Sequence, residues 1–293
     1  MKTHLVLAGD VQESALLEVE RVFSVSVDEG RWLSPRRACE ISIGDLDEGQ
    51  LSDAREALSS LRVDVFAVPE NSRRKKLLIA DMDATIVTGE TLDDLAALAG
   101  LGEEISKVTA AAMRGELDFE RALKMRVSKL KGVSEDLLRQ TFAEMRLSEG
   151  AEILVRTMRA AGAECVLVSG GFTFFTSRVA DMCGFSAQHG NVLGIENGVL
   201  TGVVIPPILD KNAKLSFLES YAVNLEIDLS ETVAIGDGAN DLPMLLAAGL
   251  GVGYRPKNLV REQVKNSIIH SDLTSLLYMQ GFDDDEIASY TKN

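Results

Sequence analysis

Two aspartates, Asp81 and Asp83, stand two positions apart directly after a short and wholly apolar run at residues 77–80. An apolar run of this length between polar residues predicts a strand that is buried on both faces of a parallel sheet. Open α/β sheets bind their ligands at the carboxyl ends of their strands. The sequence therefore predicts that both carboxylates lie at a binding site.

A second apolar run, at residues 232–235, also ends in carboxylates. Glycines flank Asp237 there, and Asp241 follows four positions later. If the two strands are neighbours in the sheet, the four aspartates meet in one pocket. Carboxylates that are crowded in this way need a hard divalent cation, and oxygen ligands favour Mg²⁺. The alternative, an ordinary turn after each strand, explains either run alone but not both together.

The composition is that of a globular chain without a polyanionic partner. Its 293 residues predict about two domains, and a hydrophobic content of 46% is enough for a buried core. The formal net charge of 30 − 45 = −15 argues against nucleic acid and against an anionic membrane as partner. Three widely spaced cysteines indicate reduced thiols, and no apolar stretch reaches the length of a membrane helix. We therefore expect a cytoplasmic protein.

The pattern of elements predicts a small domain followed by a larger one with an insertion. Residues 1–72 are expected to form an α+β domain in the order βαββαβ, which resembles ACT-like modules and is interpreted as a packing or homodimerisation unit. Residues 73–88 and 146–293 alternate strands with helices, as a doubly wound parallel sheet does. Residues 89–145 contain helical patterns only, which predicts a helical cap inserted into the core.

Two charged runs complete the pattern. The basic run at residues 73–76 is interpreted as a solvated linker between the domains. The acidic run at residues 283–286 is interpreted as the start of a frayed tail.

The motifs, taken in order, are similar to those of a known family. D-x-D-x-T, then S-G-G, a lysine and G-D-G-x-N-D resemble the haloacid dehalogenase superfamily, and the likeness covers roughly residues 75–280. The longer stretches DMDATIVTGETLDDLA and GDGANDLPM resemble the phosphoserine phosphatases within that superfamily. The resemblance implies an α/β fold with a doubly wound parallel sheet and a helical cap over the carboxyl ends of its strands.

The resemblance also implies a catalytic role for each aspartate. Asp81 is expected to be the nucleophile that forms an aspartyl-phosphate, and Asp83 the general acid and base. Asp81, Asp237 and the backbone carbonyl of Asp83 are expected to bind Mg²⁺. Asp241 is expected to orient the water around that ion without binding it directly.

The phosphate and the rest of the substrate are assigned by the same likeness. Ser169 and Gly170 lie between a strand and a helix, where backbone N–H groups bind anions. Lys214 is preferred over the nearby Lys211 as the phosphate-binding lysine because of its spacing from the second run. Asn240 is expected to contact the substrate.

Four residues of the cap match positions that the family uses for an amino-acid substrate. Glu90 is expected to bind the ammonium group and Arg126 the carboxylate, while Met113 and Phe119 line the same pocket. Without the resemblance, Arg126 would be taken for a surface residue, and Met113 and Phe119 for the core of the cap. Ala84 departs from the pattern, because relatives usually carry serine there.

Together these residues predict a Mg²⁺-dependent hydrolase of O-phosphoserine, which would catalyse the last step of serine biosynthesis. The nearest alternatives keep the same core chemistry: a phosphotransferase to homoserine, or a phosphatase of another small phosphoester. A receiver-like signalling protein that stores phosphate on Asp81 is a further alternative. The carboxylate at Asp83 and the helical segment argue against it.

Overall fold

The computed structural model describes residues 3–26, 30–44, 46–113, 116–209 and 212–291. Its strands form two sheets, a small one near the N-terminus and a larger one in the rest of the chain. None of the helices in these ranges is both long and apolar enough to cross a membrane.

The small sheet is antiparallel and has four strands. They are β1 (Thr3–Gly9), β2 (Arg31–Ser34), β3 (Ala38–Ile43) and β4 (Val63–Pro69). Their order across the sheet is β2-β3-β1-β4, and helices α1 (Glu13–Phe23) and α2 (Glu48–Ser59) pack on one face. The predicted βαββαβ order is therefore confirmed.

The large sheet has seven strands. They are β5 (Leu77–Ala80), β6 (Glu164–Phe172), β7 (Ala187–Glu196), β8 (Val199–Ile205), β9 (Thr232–Gly236), β10 (Leu250–Tyr254) and β11 (Asn266–Ile268). Their order is β11-β10-β9-β5-β6-β7-β8, and all neighbours are parallel except β7 and β8. The chain runs from β5 to both sides of the sheet, which confirms the predicted doubly wound fold.

Four helices lie between β5 and the rest of the core, as the helical pattern predicted. They are α3 (Thr91–Leu98), α4 (Gly102–Met113), α5 (Phe119–Lys129) and α6 (Glu135–Glu144). The two ends of this cap meet, because Val87 and Leu147 form an antiparallel bridge. The cap also rests on the β7–β8 hairpin, where the N–H of Gly132 donates to the carbonyl of Leu200 at 2.8 Å.

The remaining helices cover the large sheet and end the chain. They are α7 (Ala151–Ala160), α8 (Thr173–Cys183), α9 (Ala213–Asn224), α10 (Leu242–Ala247), α11 (Asn258–Gln263), α12 (Ser275–Met279) and α13 (Asp284–Thr291). The positions of the domain boundaries, at residues 72, 88 and 145, stay a prediction.

Burial on both faces explains why β5 is apolar throughout. Leu78 and Ala80 belong to the apolar cluster on one face of the sheet, and Leu77 and Ile79 belong to the cluster on the other. All four side chains are fully buried. Successive residues of a strand point to opposite faces, so a central strand with both faces covered needs no polar position.

The small sheet is buried on both faces as well. Leu5 and Leu7 pack with its own helices, whereas Val6 and Ala8 belong to the same apolar cluster as Leu276 of α12. The second face of the small sheet therefore packs directly on the core that carries the large sheet.

The interpretation of residues 73–76 as a solvated linker is wrong. Arg73 forms an ion pair with Glu40 at 2.5 Å and donates to the carbonyl of Met279 at 2.8 Å. Lys75 is buried, and its Nζ donates to the carbonyl of Ser230 at 2.6 Å. Burial lowers the pKa of Lys75 to about 8. These cations bind partners in the small sheet and in the rest of the chain, and so fix the segment between the two.

The interpretation of residues 283–286 as a frayed tail is also wrong. Helix α13 begins at Asp284, and the side chain of Asp283 accepts from the N–H of Glu286 at 3.0 Å. Asp283 forms an ion pair with Arg31 at 2.6 Å, and Glu286 forms one with Arg74 at 2.7 Å. The acidic run and the basic run are thus partners of each other and of the small sheet, which a local composition argument could not show.

Asp64 of β4 is the most heavily bonded group between the two sheets. Its side chain accepts from the backbone N–H groups of Ile269, His270 and Ser271 at 3.1, 3.0 and 2.9 Å, and from the Ser271 hydroxyl at 2.7 Å. Asp64 is only 5% exposed. Buried N–H groups need an acceptor, and a charged acceptor forms stronger bonds than a neutral one.

We predict that Asp64→Asn lowers the free energy of unfolding by about 2 kcal/mol, because the amide replaces a charged acceptor and brings N–H groups that face other donors. Urea unfolding followed by circular dichroism measures the change. Asp53→Asn, on the exposed side of α2, is the matched control and should change it little. Equal stability of the Asp64 variant and the wild type would contradict the prediction.

Candidate active site

The two predicted aspartate runs meet because their strands are neighbours. Residues 77–80 of β5 pair in register with residues 232–235 of β9, so both strands end at the same edge. The N–H of Asp81 continues the ladder and donates to the carbonyl of Ile235 at 3.0 Å. Asp237 follows β9 at the same level and therefore lies beside Asp81.

Three carboxylates form a tight cluster at this edge. Asp81, Asp237 and Asp241 each offer an oxygen, and these oxygens lie within 4.8 Å of one another. All three side chains are buried. A dry cluster of anionic oxygen ligands repels itself strongly and fits a hard divalent cation such as Mg²⁺ better than a softer metal. The cluster could therefore hold a metal ion.

Lys214, near the start of α9, supplies a buried cation to the cluster. Its Nζ lies 2.5 Å from one oxygen of Asp81 and 2.5 Å from one oxygen of Asp241. Burial lowers the pKa of Lys214, but the charges of Asp241 and Asp81 outweigh burial and raise it above its ordinary value. Burial and the charge of Asp241 in turn raise the pKa of Asp81, and Lys214 opposes them. The lysine thus favours an ionised Asp81.

Asp241 uses both of its oxygens within the protein. One binds Lys214, and the other accepts from the backbone N–H groups of Asp237 and Gly238 at 3.1 and 2.9 Å. A Cβ atom at Gly236 would collide with the Asp241 side chain, which explains the glycine at this position. This arrangement orients the loop that carries Asp237 and agrees with an orienting role for Asp241, which stays a prediction.

Asp83 turns away from the cluster toward the cap. It accepts from the N–H of Thr91 at 2.9 Å and from the hydroxyl of Ser169 at 3.2 Å. Burial raises the pKa of Asp83, and the hydrogen bonds from Thr91 and Ser169 lower it in part. A carboxyl group with a raised pKa holds a proton closer to neutral pH, as a general acid must.

The last residues of β6 bring backbone and hydroxyl donors to the same place. Ser169 and Gly170 were expected between a strand and a helix, but the strand continues to Phe172 with an irregular register after Val168. The N–H of Gly171 donates to the hydroxyl of Ser169 at 2.8 Å. A Cβ atom at Gly170 would lie 2.9 Å from the ring of Phe119 in the cap. Glycine at position 170 therefore lets the cap approach the core closely.

One cavity of about 180 Å³ joins these groups to the cap. Nine of its lining residues were predicted from the sequence: Asp81, Asp83, Glu90, Phe119, Arg126, Ser169, Gly170, Asp237 and Asn240. Lys214 lies behind Asp81 and lines a smaller adjoining space with Phe119 and Asn240. The side chain of Met113 and the whole of Lys211 lie outside the described residues.

Glu90 and Arg126 give the cavity an acidic and a basic group. Burial and the charge of Asp83 raise the pKa of Glu90, and Lys257 opposes them. Burial lowers the pKa of Arg126, and nearby carboxylates oppose that effect. A guanidinium and a carboxylate in one cavity can bind a ligand that carries both charges.

Residues 78–246 match the model of the haloacid dehalogenase-like hydrolases. The chain belongs to this family. It is 39% identical to the phosphoserine phosphatase of Streptomyces coelicolor over 284 residues, which are 96% of this chain and 68% of that relative.

Two solved structures are similar to this hydrolase. A probable phosphoserine phosphatase from Vibrio cholerae superposes with a TM-score of 0.80 at 30% identity, covering 99% of this chain and 88% of that one. A substrate-bound phosphoserine phosphatase superposes with a TM-score of 0.65 at 36% identity, covering 70% and 98%. The first match spans nearly the whole chain and therefore includes the N-terminal part.

Among the charged residues that line the cavity, Lys257 is the one that the sequence analysis missed. The Nζ of Lys257 lies 3.0 Å from Asp237 and 3.6 Å from Glu90, and its backbone N–H donates to the carbonyl of Asp237 at 2.9 Å. Lys257 follows β10, the neighbour of β9. The rule that ligands bind at strand ends, applied to β10 as well, would have found it.

We predict that Lys214→Met lowers the free energy of unfolding by about 3 kcal/mol, because it leaves buried carboxylates without their cation. Urea unfolding in the presence of a metal chelator measures the change. Lys124→Met is the matched control, since Lys124 pairs with Glu120 on the exposed face of α5 and should contribute less than about 0.5 kcal/mol. Similar losses in the two variants would contradict the prediction.

Proposed function

We propose that this enzyme is a Mg²⁺-dependent phosphatase that hydrolyses O-phosphoserine to serine and phosphate through an aspartyl-phosphate on Asp81. One observation carries the proposal: Glu90 and Arg126 line the same cavity as the paired aspartates. Phosphoserine needs all of these groups, an acid for its ammonium, a base for its carboxylate and a nucleophile for its phosphate. The names of the relatives, which are phosphoserine phosphatases, support the same substrate.

The contacts of Asp81 support Oδ2 as the attacking oxygen. Oδ1 accepts from the N–H of Met82 at 2.8 Å and lies 2.5 Å from the Nζ of Lys214. These contacts hold the carboxylate in one orientation and leave Oδ2 for attack. Oδ2 forms a bond to phosphorus while the bond between phosphorus and the serine oxygen breaks.

Asp83 carries the proton in both half-reactions. It donates a proton to the serine oxygen as that oxygen leaves. It then accepts a proton from the water that attacks phosphorus and breaks the bond to Asp81. Thr91 and Ser169 fix both carboxyl oxygens, so the group keeps its position as its charge changes. Its raised pKa suits a group that must alternate between the two states.

Local cations offset the strongly negative net charge where phosphate binds. Lys214 and Lys257 lie at the carboxylate cluster, and Arg126 lies in the cap. The Ser169 hydroxyl and the backbone after it are donors for the phosphate oxygens. Because charge attraction falls off within about a Debye length of ~8 Å, these near groups outweigh the distant surface charge.

Asp81, Asp237 and the backbone carbonyl of Asp83 would hold Mg²⁺. The oxygen-only cluster around Asp81 supports this assignment. The bound ion would supply positive charge that keeps Asp81 ionised and reduces its repulsion for an anionic phosphate.

With serine as its product, the enzyme would catalyse the last step of serine biosynthesis. A homodimer through the N-terminal sheet is the expected assembly. One face of that sheet packs on α1 and α2, the other packs on the core, and β4 lies next to β11. The outer strand β2, where Trp32 is 43% exposed, is the part that such a dimer would use.

We predict that Asp81→Asn lowers phosphate release from O-phosphoserine at least about 10³-fold, because the neutral amide cannot attack phosphorus. Asp83→Asn should lower kcat about 10²- to 10⁴-fold through loss of proton transfer. Mass spectrometry after rapid acid quench should find a phosphorylated Asp81 peptide in the Asp83 variant and none in the Asp81 variant.

Phosphoethanolamine, phosphothreonine and a sugar phosphate serve as comparison substrates, and homoserine as a competing acceptor. A wild type that prefers a sugar phosphate, or that transfers phosphate to homoserine faster than to water, would replace the proposal. A fully active Asp81→Asn variant would overturn the mechanism.

We predict that Mg²⁺ raises the melting temperature of the wild type and of Asp83→Asn but not that of Asp237→Asn. Asp83 would bind the ion through its backbone carbonyl, which the substitution keeps, whereas Asp237 binds through its side chain. At 100 times the dissociation constant, bound ion stabilises the fold by about 2.7 kcal/mol. Differential scanning fluorimetry with and without Mg²⁺ tests this, and an equal shift in all three proteins would refute the ligand set.

A further inference from the structure

Two buried atoms of charged side chains near the cavity have no hydrogen-bond partner among the described residues. One is Nε of Arg126, on α5, and the other is Oδ1 of Asp93, on α3. The first is a donor and the second an acceptor, and both belong to charged groups. Leaving a buried polar atom unpaired destabilises a fold, and more so when the group is charged. Such an arrangement needs an explanation.

The two groups are within electrostatic reach of each other. Burial lowers the pKa of Arg126, and of the carboxylates that oppose burial Asp93 has the largest effect, ahead of Glu90 and Asp83. Asp93 lies next to Leu92, which lines the cavity together with Arg126. Asp93 and Arg126 thus both lie on the cap side of the site, where the charge of one affects the other.

Helix capping does not account for Asp93. An acid in the first turn of a helix often accepts from a free backbone N–H or stabilises the helix dipole. Oδ1 of Asp93 accepts from no such group, and the N-cap residue Glu90 makes no side-chain cap bond. Asp94, in the same turn, is exposed and serves the dipole equally well.

We propose that Asp93 is a positioning residue for the substrate carboxylate: in the substrate-bound enzyme its Oδ1 accepts a hydrogen bond from the Nε–H of Arg126. This inference rests on the proposed function, since it concerns the carboxylate of phosphoserine. With Nε held by Asp93, the terminal N–H groups of Arg126 are free to bind both oxygens of that carboxylate.

The physical advantage lies in the planar guanidinium. Its five N–H donors form a rigid fork, so fixing one edge fixes the direction of the others. A bidentate bond to a carboxylate requires that direction, and a freely turning side chain would lose entropy on each binding event. Asp93 also supplies a second negative charge near the buried cation, which keeps Arg126 charged when water leaves the cavity.

The test compares two substrates that differ in one group. Asp93→Asn should raise KM for O-phosphoserine about tenfold, the loss expected for one charged hydrogen bond. It should leave kcat within about twofold and leave KM for phosphoethanolamine, which lacks the carboxylate, unchanged. Asp94→Asn is the matched control and should change none of these values.

A double-mutant cycle separates positioning from a general structural role. If Asp93 acts through Arg126, then Asp93→Asn should have no further effect on KM in the Arg126→Ala background. Equal losses on both substrates, additive effects in the cycle, or no effect of Asp93→Asn would each overturn the inference. Should Asp93→Asn not fold, Asp93→Ala removes both the charge and the acceptor and carries the same expectations.

The wild type decides the proposed function separately. If the wild type does not prefer phosphoserine over phosphoethanolamine, both the proposed substrate and the proposed role of Asp93 are wrong. If the wild type has that preference and Asp93→Asn keeps it, only the role of Asp93 is wrong.

Discussion

Repulsion among buried carboxylates is the constraint on which this structure depends. Two charges about 4.8 Å apart repel by on the order of 3 kcal/mol even at an effective dielectric constant of 20, and here three aspartates share that spacing. Cations from different elements offset this repulsion. Lys214 comes from α9, and Lys257 follows β10. The carboxylate cluster thus has fixed positive charge beside it, which in the proposed function would also attract the anionic phosphate.

The cap turns this charged edge into a selective cavity. Its ring at Phe119 lies against Gly170, and its charged groups at Glu90 and Arg126 face the same space as Asp81. In the proposed function the core supplies reactivity and the cap supplies recognition. The substrate would then be the missing partner of unpaired polar atoms in the cap, such as Nε of Arg126.

The sequence was most informative where structure follows from local pattern. Apolar runs that end in aspartates are enough to predict two central strands and the edge at which they meet, because burial on both faces leaves a direct record in composition. The partners of a charged run, in contrast, cannot be predicted from its composition. Arg74 and Glu286 are 212 positions apart and form an ion pair, so neither run alone could reveal it. Lys257 was missed for a similar reason, since no motif marks it, and Arg126 was found only through the family resemblance.

The contact between the two sheets has a mechanical consequence. Asp64 of β4 binds the backbone that follows β11, and β11 pairs with β10, which leads directly to Lys257. A ligand or a second subunit that shifted the small sheet would therefore pull on the loop beside Asp237 through a short series of hydrogen bonds. A movement of the N-terminal part of the chain would in this way be transmitted to the backbone beside the cavity.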